Sequence, residues 1–405
     1  MTGNSLTSHP IEDQPQPDQL PQDSVAPKIN SLRELIDLVS GRSLMDTTAQ
    51  EDSGRAELLP FPFLALVGQM EMKLALLLAL VNTNMGGVLL IGPRGTGKTT
   101  AVRSLVDLLP DVERSLCFYG CMPEDIEAGG MDAVCEDCAK KYAYGNPLSQ
   151  LESARLIELP LNARLDDVLG GFDERAQAFD QQRFKRGLLS QADGNILFVD
   201  EVNLLNNEIA DSILDAAAQN AFNVRRGPIS ATYRARFSLI GSMNPEEGAL
   251  RSQIMDRFGL RVIVRGLSDP VQRSQAFQIT RAYLSNPRQI IKQFQNETQF
   301  ARQEIQAARN ALKNVEIPEE ISQQGIEMIR TLEIDSLRAE ITLFEGARAH
   351  AAVDGRSLVS TNDLRIIAPM ALRLRRSPFM TQYIKDQSKE EDELNNLLDT
   401  FLPKE

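Results

Sequence analysis

At 405 residues the chain is long enough for two or three domains that each bury a hydrophobic core, so its size demands no disulfide staples. A formal net charge of −13 repels polyanions, which argues against a nucleic-acid coat protein and leaves any such contact to a local basic patch.

The first stretch, Met1 to Pro27, mixes prolines with acidic residues and carries no apolar run. It reads as neither a secretory signal nor an arginine-rich transit peptide. Residues 1–55 are therefore expected to be a mostly disordered tail, broken by one short helix near Ser31 to Val39 where Ser31 and Glu34 fit a capping box. The longest apolar run, Leu74 to Val81, is too short to span a bilayer, so no membrane span is expected. A cytoplasmic location with reduced thiols follows as the expectation.

From residue 56 to 266 apolar strands alternate with amphipathic helices, the pattern of an α/β fold whose parallel sheet is covered by helices on both faces. Val88 to Ile91 reads as a buried strand running into GPRGTGKTT. Gly92, Gly97, Lys98 and Thr99 there have the phosphate-loop spacing, and Val102, Leu105, Val106 and Leu109 predict the helix that follows. Backbone N–H groups of Gly92, Pro93's neighbours Arg94 and Gly95, Thr96, Gly97 and Thr100 would cradle phosphate. Lys98 would reach the β and γ oxygens, and the Thr99 hydroxyl would ligate Mg²⁺. A second strand, Ile196 to Val199, ends in Asp200 and Glu201, placed to hold the Mg²⁺ shell and to orient or activate water. A third, Phe237 to Ile240, runs toward Asn244, whose amide can hold that water and sense the γ-phosphate. Together the three strand ends predict nucleotide binding and hydrolysis.

Two segments exceed a minimal α/β ATPase. One lies between Ala154 and Gly187; the other, residues 222–238, is a predicted hairpin with Arg225, Arg226, Arg234 and Arg236, which either grips a partner or faces water. All four cysteines crowd into an excursion over residues 117–138: Cys117, Cys121, Cys135 and Cys138, spaced C-x3-C and C-x2-C with thirteen residues between. The spacing suits a closed, structural Zn²⁺ site of four thiolates; a thiol redox switch and a set of small buried side chains are the alternatives. After residue 266 the strand signal stops. A helical linker over 267–315, a helical lid over 316–385 and an acidic tail over 386–405 are expected. The two histidines, His9 and His350, join no serine or cysteine nucleophile in sequence pattern, so covalent hydrolase chemistry is not proposed.

With the phosphate loop, Asp200, Glu201 and Asn244 in place, the chain resembles an AAA+ ATPase. PFLALVGQMEMKLALLLALV, GNILFVDEVNLL, GSMNPEEGALRSQIMDRFGL and ALRLRRSP narrow the resemblance to the ATPase subunit I family of magnesium chelatases, from about Pro60 to about Pro378. The resemblance implies a P-loop ATPase body with a helical lid, in a homo-oligomeric ring, expected as a hexamer, with ATP between subunits. It implies that Gly68 and Gln69 flank the adenine, that Arg257 is a finger reaching a neighbour's γ-phosphate, and that Arg338 acts from the lid. It also implies two partners, an AAA+ subunit with a von Willebrand-type domain and a large porphyrin-binding subunit, with Mg²⁺ inserted into protoporphyrin IX for chlorophyll biosynthesis. The alternatives are a MoxR-like AAA+ chaperone remodelling a von Willebrand-type partner, a DNA-handling motor, which the net charge disfavours, and a scaffold without turnover, which the intact motor residues oppose. Glu345 stands where the family usually has a second lid arginine, Ser252 where proline is usual and Met243 where glycine is frequent. These departures suit a divergent paralogue.

Overall fold

Parallel strands buried on both faces need unbroken aliphatic runs, and three such runs form the centre of the sheet. The computed structural model describes residues 59–117, 119–172, 184–226 and 229–376. The expected N-terminal helix and the acidic tail lie outside them. In chain order the strands are Val88–Ile91 (β1), Asp111–Ser115 (β2), Ser149–Ser153 (β3), Leu156–Leu159 (β4), Gly170–Phe172 (β5), Phe184–Arg186 (β6), Ile196–Val199 (β7), Ala221–Arg226 (β8), Ile229–Arg234 (β9), Ser238–Met243 (β10) and Leu260–Ile263 (β11). The main sheet runs β11-β1-β10-β7-β4, all parallel. β2–β3, β5–β6 and β8–β9 form separate antiparallel ribbons.

Alternation along the strands assigns the two cores. Val88, Leu90, Ile196, Phe198 and Ile240 face one cluster, built with Met72, Leu76 and Leu80 of the helix Met70–Val81 and with helices from after the sheet. Leu89, Ile91, Leu197, Val199 and Leu239 face the other, with Ile209 and Ile213 of the helix Asn207–Gln219 and with Phe258. The helices beyond the sheet share the first core: Ile305 and Ala308 of Gln295–Ala311, and Ala339, Leu343 and Ala347 of Leu337–Val353, are all buried in it. Leu337–Val353 lies close on Thr361–Leu372, where a β-carbon at Gly346 would come within 2.7 Å of Ile367. Asp363 fastens the start of that last helix, accepting from Ser360 and Arg356. Burial would push its carboxyl up, but the bonds from Arg356, Ser360 and His350 hold it well below the usual carboxylate range.

Two expectations change. The stretch from Ala154 to Gly187 contains β4, a strand of the main sheet, and so is not wholly an insertion; a four-residue edge strand with half-exposed Leu156 and Ile157 carries too weak an apolar signal to read alone. After the phosphate loop the α-helix covers only Lys98–Arg103 and tightens to a 3₁₀ turn over Ser104–Leu108. With three residues per turn the buried face rotates, so Leu105, Leu108 and Leu109 go inside while Val106 is left 45% exposed. Among the described residues no helix is long and apolar enough to cross a membrane.

Candidate nucleotide site

The register of the sheet levels the ends that matter. Ile91 sits beside Met243, and Val199 beside Gly241, so the residues leaving β1, β10 and β7 share one edge. The loop leaves β1 at Gly92, where a β-carbon would come within 2.1 Å of the Val264 carbonyl oxygen; only glycine fits between the strands there. A cavity of 360 Å³ at this edge is lined by Arg94 to Thr100, Asp200, Glu201, Ser242, Met243 and Asn244. The sequence-predicted loop, Asp200, Glu201 and Asn244 are therefore brought together.

Within the cavity, Thr99 donates to Asp200 Oδ2 at 3.0 Å, and the Ser242 hydroxyl donates to Asp200 Oδ1. Lys98 is buried and donates to its own loop, to Gly92 O at 2.7 Å and Pro93 O at 2.9 Å. Burial lowers the Lys98 ammonium pKa, opposed by the charges of Asp200, Glu247 and Glu201. An ammonium held by two carbonyls at the mouth of a helix can exchange them for phosphate oxygens at little cost. The Thr99 hydroxyl and Asp200 carboxylate are hard oxygen donors, the set that suits Mg²⁺. Glu201 has φ +51, a left-handed conformation uncommon for a side chain with a β-carbon, and its N–H donates to Ser242 Oγ at 3.2 Å. Arg94 ion-pairs with Glu201 at 3.5 Å and with Glu247. Asn244 is buried, and its side-chain oxygen accepts from Glu246 N–H at 3.2 Å, which fixes the amide in the cavity wall.

A second cavity of 720 Å³ adjoins the first through Gly95, Thr96, Gly97 and Thr100, and is walled by apolar groups including Phe61, Leu66, Met72 and Leu267. Gln69 lines it and donates to Arg265 O at 2.6 Å. Gly68 adopts φ +65, and a β-carbon there would come within 2.6 Å of Leu267. An apolar chamber continuous with the phosphate loop suits a nucleobase.

Sequence reasoning missed several contributors. Ser242 lies in β10, two residues past the predicted strand end at Ile240. Phe61 and Tyr283, in edge-to-face contact at 5.1 Å, lie far apart in sequence and meet only in the fold. Arg273 joins the same wall from the helix Pro270–Ser285.

Arg257 and Arg338 are not brought to this cavity. They line a separate one of 280 Å³, with Asn84, Asp256 and Thr342, that shares no residue with the phosphate cavity. Arg257 pairs with Asp215 at 2.7 Å rather than with neighbouring Asp256. Asp256 instead takes Arg338 at 3.3 Å, Arg375 at 3.0 Å and Arg261 at 3.5 Å. Burial, and then the charge of Arg375, lower the Arg261 guanidinium to about 10. Glu345 accepts from Asn82 at 2.7 Å and Arg348 at 2.9 Å, so it ties the lid helix to the end of Met70–Val81.

The four cysteines converge, their sulfurs all within 4.8 Å of one another. Burial would raise the Cys117 thiol, but bonds from the Tyr119 and Cys121 backbone and from its sulfur neighbours bring it down to about 7. Burial, the backbone bond from Cys135 notwithstanding, pushes Cys121 up to about 11 beside it. Of the four hairpin arginines, Arg234 is largely covered and pairs with Asp125, while Arg236, its side chain 41% exposed, lies 3.8 Å from both Glu124 and Asp193.

A family model described as the MCM P-loop domain matches residues 168–275, and one described as the AAA lid domain matches residues 326–396. A magnesium-chelatase subunit ChlI homolog of Methanocaldococcus jannaschii is 38% identical over 334 residues, covering 82% of this chain and 90% of its own. The magnesium-chelatase 38 kDa subunit of Acidiphilium rubrum is 40% identical over 322 residues, covering 78% and 92%. A chain in the complex between subunits BchI and BchD of magnesium chelatase, based on a single-particle cryo-EM reconstruction, is 36% identical, covers 79% and 97%, and has a TM-score of 0.43.

Proposed function

The chain belongs to the magnesium-chelatase subunit I family of AAA+ ATPases, and from that premise we propose that its phosphate cavity hydrolyses MgATP in a ring and thereby drives Mg²⁺ insertion into protoporphyrin IX on partner subunits. The observation that carries the reading is the hydrogen bond from Thr99 to Asp200 at the shared strand edge, with Lys98, Glu201 and Asn244 around the same cavity.

In this reading the loop amides and Lys98 hold the phosphates, while Thr99 and Asp200 hold the nucleotide's Mg²⁺. When bound, that ion would neutralise charge developing on the transferring phosphoryl group. Glu201 orients and activates the attacking water, and Asn244 fixes it against the γ-phosphate. Gly68 and Gln69 lie along the adenine, with the Phe61–Tyr283 wall beside them. Arg257 and Arg338, placed at a cavity of their own, act on the nucleotide of a neighbouring subunit, so that turnover depends on assembly; six subunits close the ring. Residues 56–266 form the motor body and 316–385 its lid. The partners are a von Willebrand-type AAA+ subunit and a large porphyrin-binding subunit, and the motor works in the cytoplasm. The Zn²⁺ expected at the cysteines lies outside this chemistry.

The relatives favour this over the MoxR-like chaperone, since those described above are named for magnesium chelatase. The ion pair of Arg234 with Asp125, added to the net charge of −13, speaks against a DNA-gripping hairpin. The test mixes the protein with cognate partner subunits, ATP, Mg²⁺ and protoporphyrin IX and follows the fluorescence of metallated porphyrin, with Glu201→Gln as the control. Metallation that needs the wild-type chain is expected. Intact ATPase activity without metallation would overturn the chelatase reading in favour of the chaperone.

A further inference from the structure

The excursion between β2 and β3 is too poorly packed to hold itself together. Its helix Pro123–Gly129 buries no residue, and its helix Glu136–Ala143 buries only Cys138. Among the described residues the lobe's own apolar cluster consists of Cys117, Cys138 and Leu148, with Cys121, Ile126, Val134 and Cys135 packed at its edge. Four of those seven residues are the cysteines. So small a cluster cannot offset the conformational entropy of ordering some thirty residues.

The sulfurs at its centre have the arrangement of a ligand set. Cys117 Sγ lies 3.6 Å from Cys121 Sγ and 3.5 Å from Cys135 Sγ, and all four sulfurs lie within 4.8 Å. A tetrahedron with Zn–S bonds near 2.3 Å has edges of about 3.8 Å, whereas a disulfide needs about 2.05 Å. Backbone N–H groups are aimed at the sulfurs as well, from Tyr119 to Cys117 at 3.3 Å and from Cys135 to Cys121 at 3.4 Å. Such donors favour the thiolate form that a metal needs. Soft, charged, closed and without histidine, the set matches Zn²⁺ in a structural role.

The lobe is also bound to the β8–β9 hairpin. Asp125 takes Arg234 in an ion pair whose side chains are each about one-fifth exposed, and Glu124 lies 3.8 Å from Arg236. Tyr119, two residues from Cys117, stacks on Tyr233 at 6.0 Å, which stacks in turn on Phe222 at 5.5 Å. Arg186 of β6 donates to the Cys117 carbonyl at 2.5 Å. Cysteine ligand, ring stack and ion pair thus run without a break from the sulfurs to both hairpin strands.

We propose that Cys117, Cys121, Cys135 and Cys138 bind one Zn²⁺ as thiolates, and that the ion, by ordering this lobe, clamps the base of the β8–β9 hairpin. Binding releases the thiol protons still present and involves no redox change. The site does not depend on the motor reading, and its test reads neither ATP turnover nor metallation.

Metal content is measured on the full chain purified under reducing conditions without chelators. A mercurial reagent then titrates the thiols while hydrogen exchange is followed, and Zn²⁺ is added back after excess thiol has stripped the reagent. One zinc per chain is expected, released in step with four thiols. On its release, exchange at the amides of β8 and β9 rises about tenfold or more, while β1, β7 and β10 keep their rates, and added Zn²⁺ restores protection. In Asp125→Asn the zinc stays bound but the hairpin exchanges faster. Folded, fully reduced protein that neither carries nor takes up Zn²⁺ overturns the site, as does iron in its place. Zinc that leaves and returns with hairpin exchange unchanged overturns the clamp.

Discussion

The phosphate cavity and the cavity around Arg257 are both built from charged groups at the ends of strands and helices, but their charges are balanced differently. In the first, Lys98 and Arg94 stand among Asp200, Glu201 and Glu247, and the loop from Arg94 to Thr100 lines the same space. In the second, Arg261, Arg338 and Arg375 share Asp256, and Arg257 reaches out to Asp215 instead. Four arginines there are bonded by two carboxylates, and the cavity shares no residue with the one at the phosphate loop. The contrast teaches that the phosphate cavity is assembled within one chain while Arg257 and Arg338 are held at a separate cavity.

The sharpest way to break this comparison is Arg257→Ala. If Arg257 acts on a neighbour's nucleotide, ATPase turnover falls by about 10³ to 10⁵ while ATP binding, measured by titration, stays near wild type. Turnover close to wild type would remove Arg257 from the chemistry. Next in size is Glu201→Gln, which removes the group that activates water and lowers turnover by about 10² to 10⁴ with nucleotide still bound. Mixing the two inactive variants then separates cis from trans. At an interface where Glu201 of an Arg257→Ala subunit meets Arg257 of a Glu201→Gln subunit, both groups are present, so part of the wild-type rate returns. A mixture as inactive as its components would mean that the two residues serve one chain.

The same contrast explains what the sequence disclosed. Gly92 to Thr100 are contiguous, and Asp200, Glu201 and Asn244 each follow a buried aliphatic strand, so local pattern placed them at one edge before any fold was known. The partly exposed β4 carried no such pattern and was absorbed into a supposed insertion. The Phe61–Tyr283 wall joins residues more than two hundred positions apart. Nothing local marks that distance. Arg257 was singled out only by resemblance, because no periodicity distinguishes it from Arg251 or Arg261; the fold sets Arg261 apart as almost wholly buried and leaves Arg251 and Arg257 both partly exposed. The cysteine spacing was explicit, but the tie from their lobe to Arg234 and Arg236 required the hairpin's position.

A smaller effect is expected at the arginine edge itself from Asp256→Asn. Arg261 and Arg375 are buried and Asp256 is the carboxylate that bonds both, so neutralising it leaves two buried cations short of their counter-charge. Loss of a buried partner costs about 3–5 kcal/mol, an upper value here because Asp256 itself is 40% exposed. The measurement is the urea midpoint of the full chain. An unchanged midpoint would show that the knot does not hold the edge together, and that Arg257 is positioned by the helix Ser252–Arg257 alone.

Arg94→Ala should do least, and for that reason it tests the cis side most finely. Arg94 is 72% exposed and bonds Glu247 and Glu201 from the loop itself. Exposed pairs of this kind contribute about 0–1 kcal/mol, so removing it changes the rate at saturating ATP by less than about tenfold. The direction is upward, because the substitution frees Glu201 from a cation that competes for the carboxylate the water needs. A loss of about 10² or more in turnover would place Arg94 among the groups that hold the γ-phosphate. The phosphate cavity would then supply an arginine of its own, and its dependence on a neighbour's Arg257 would be partial rather than complete.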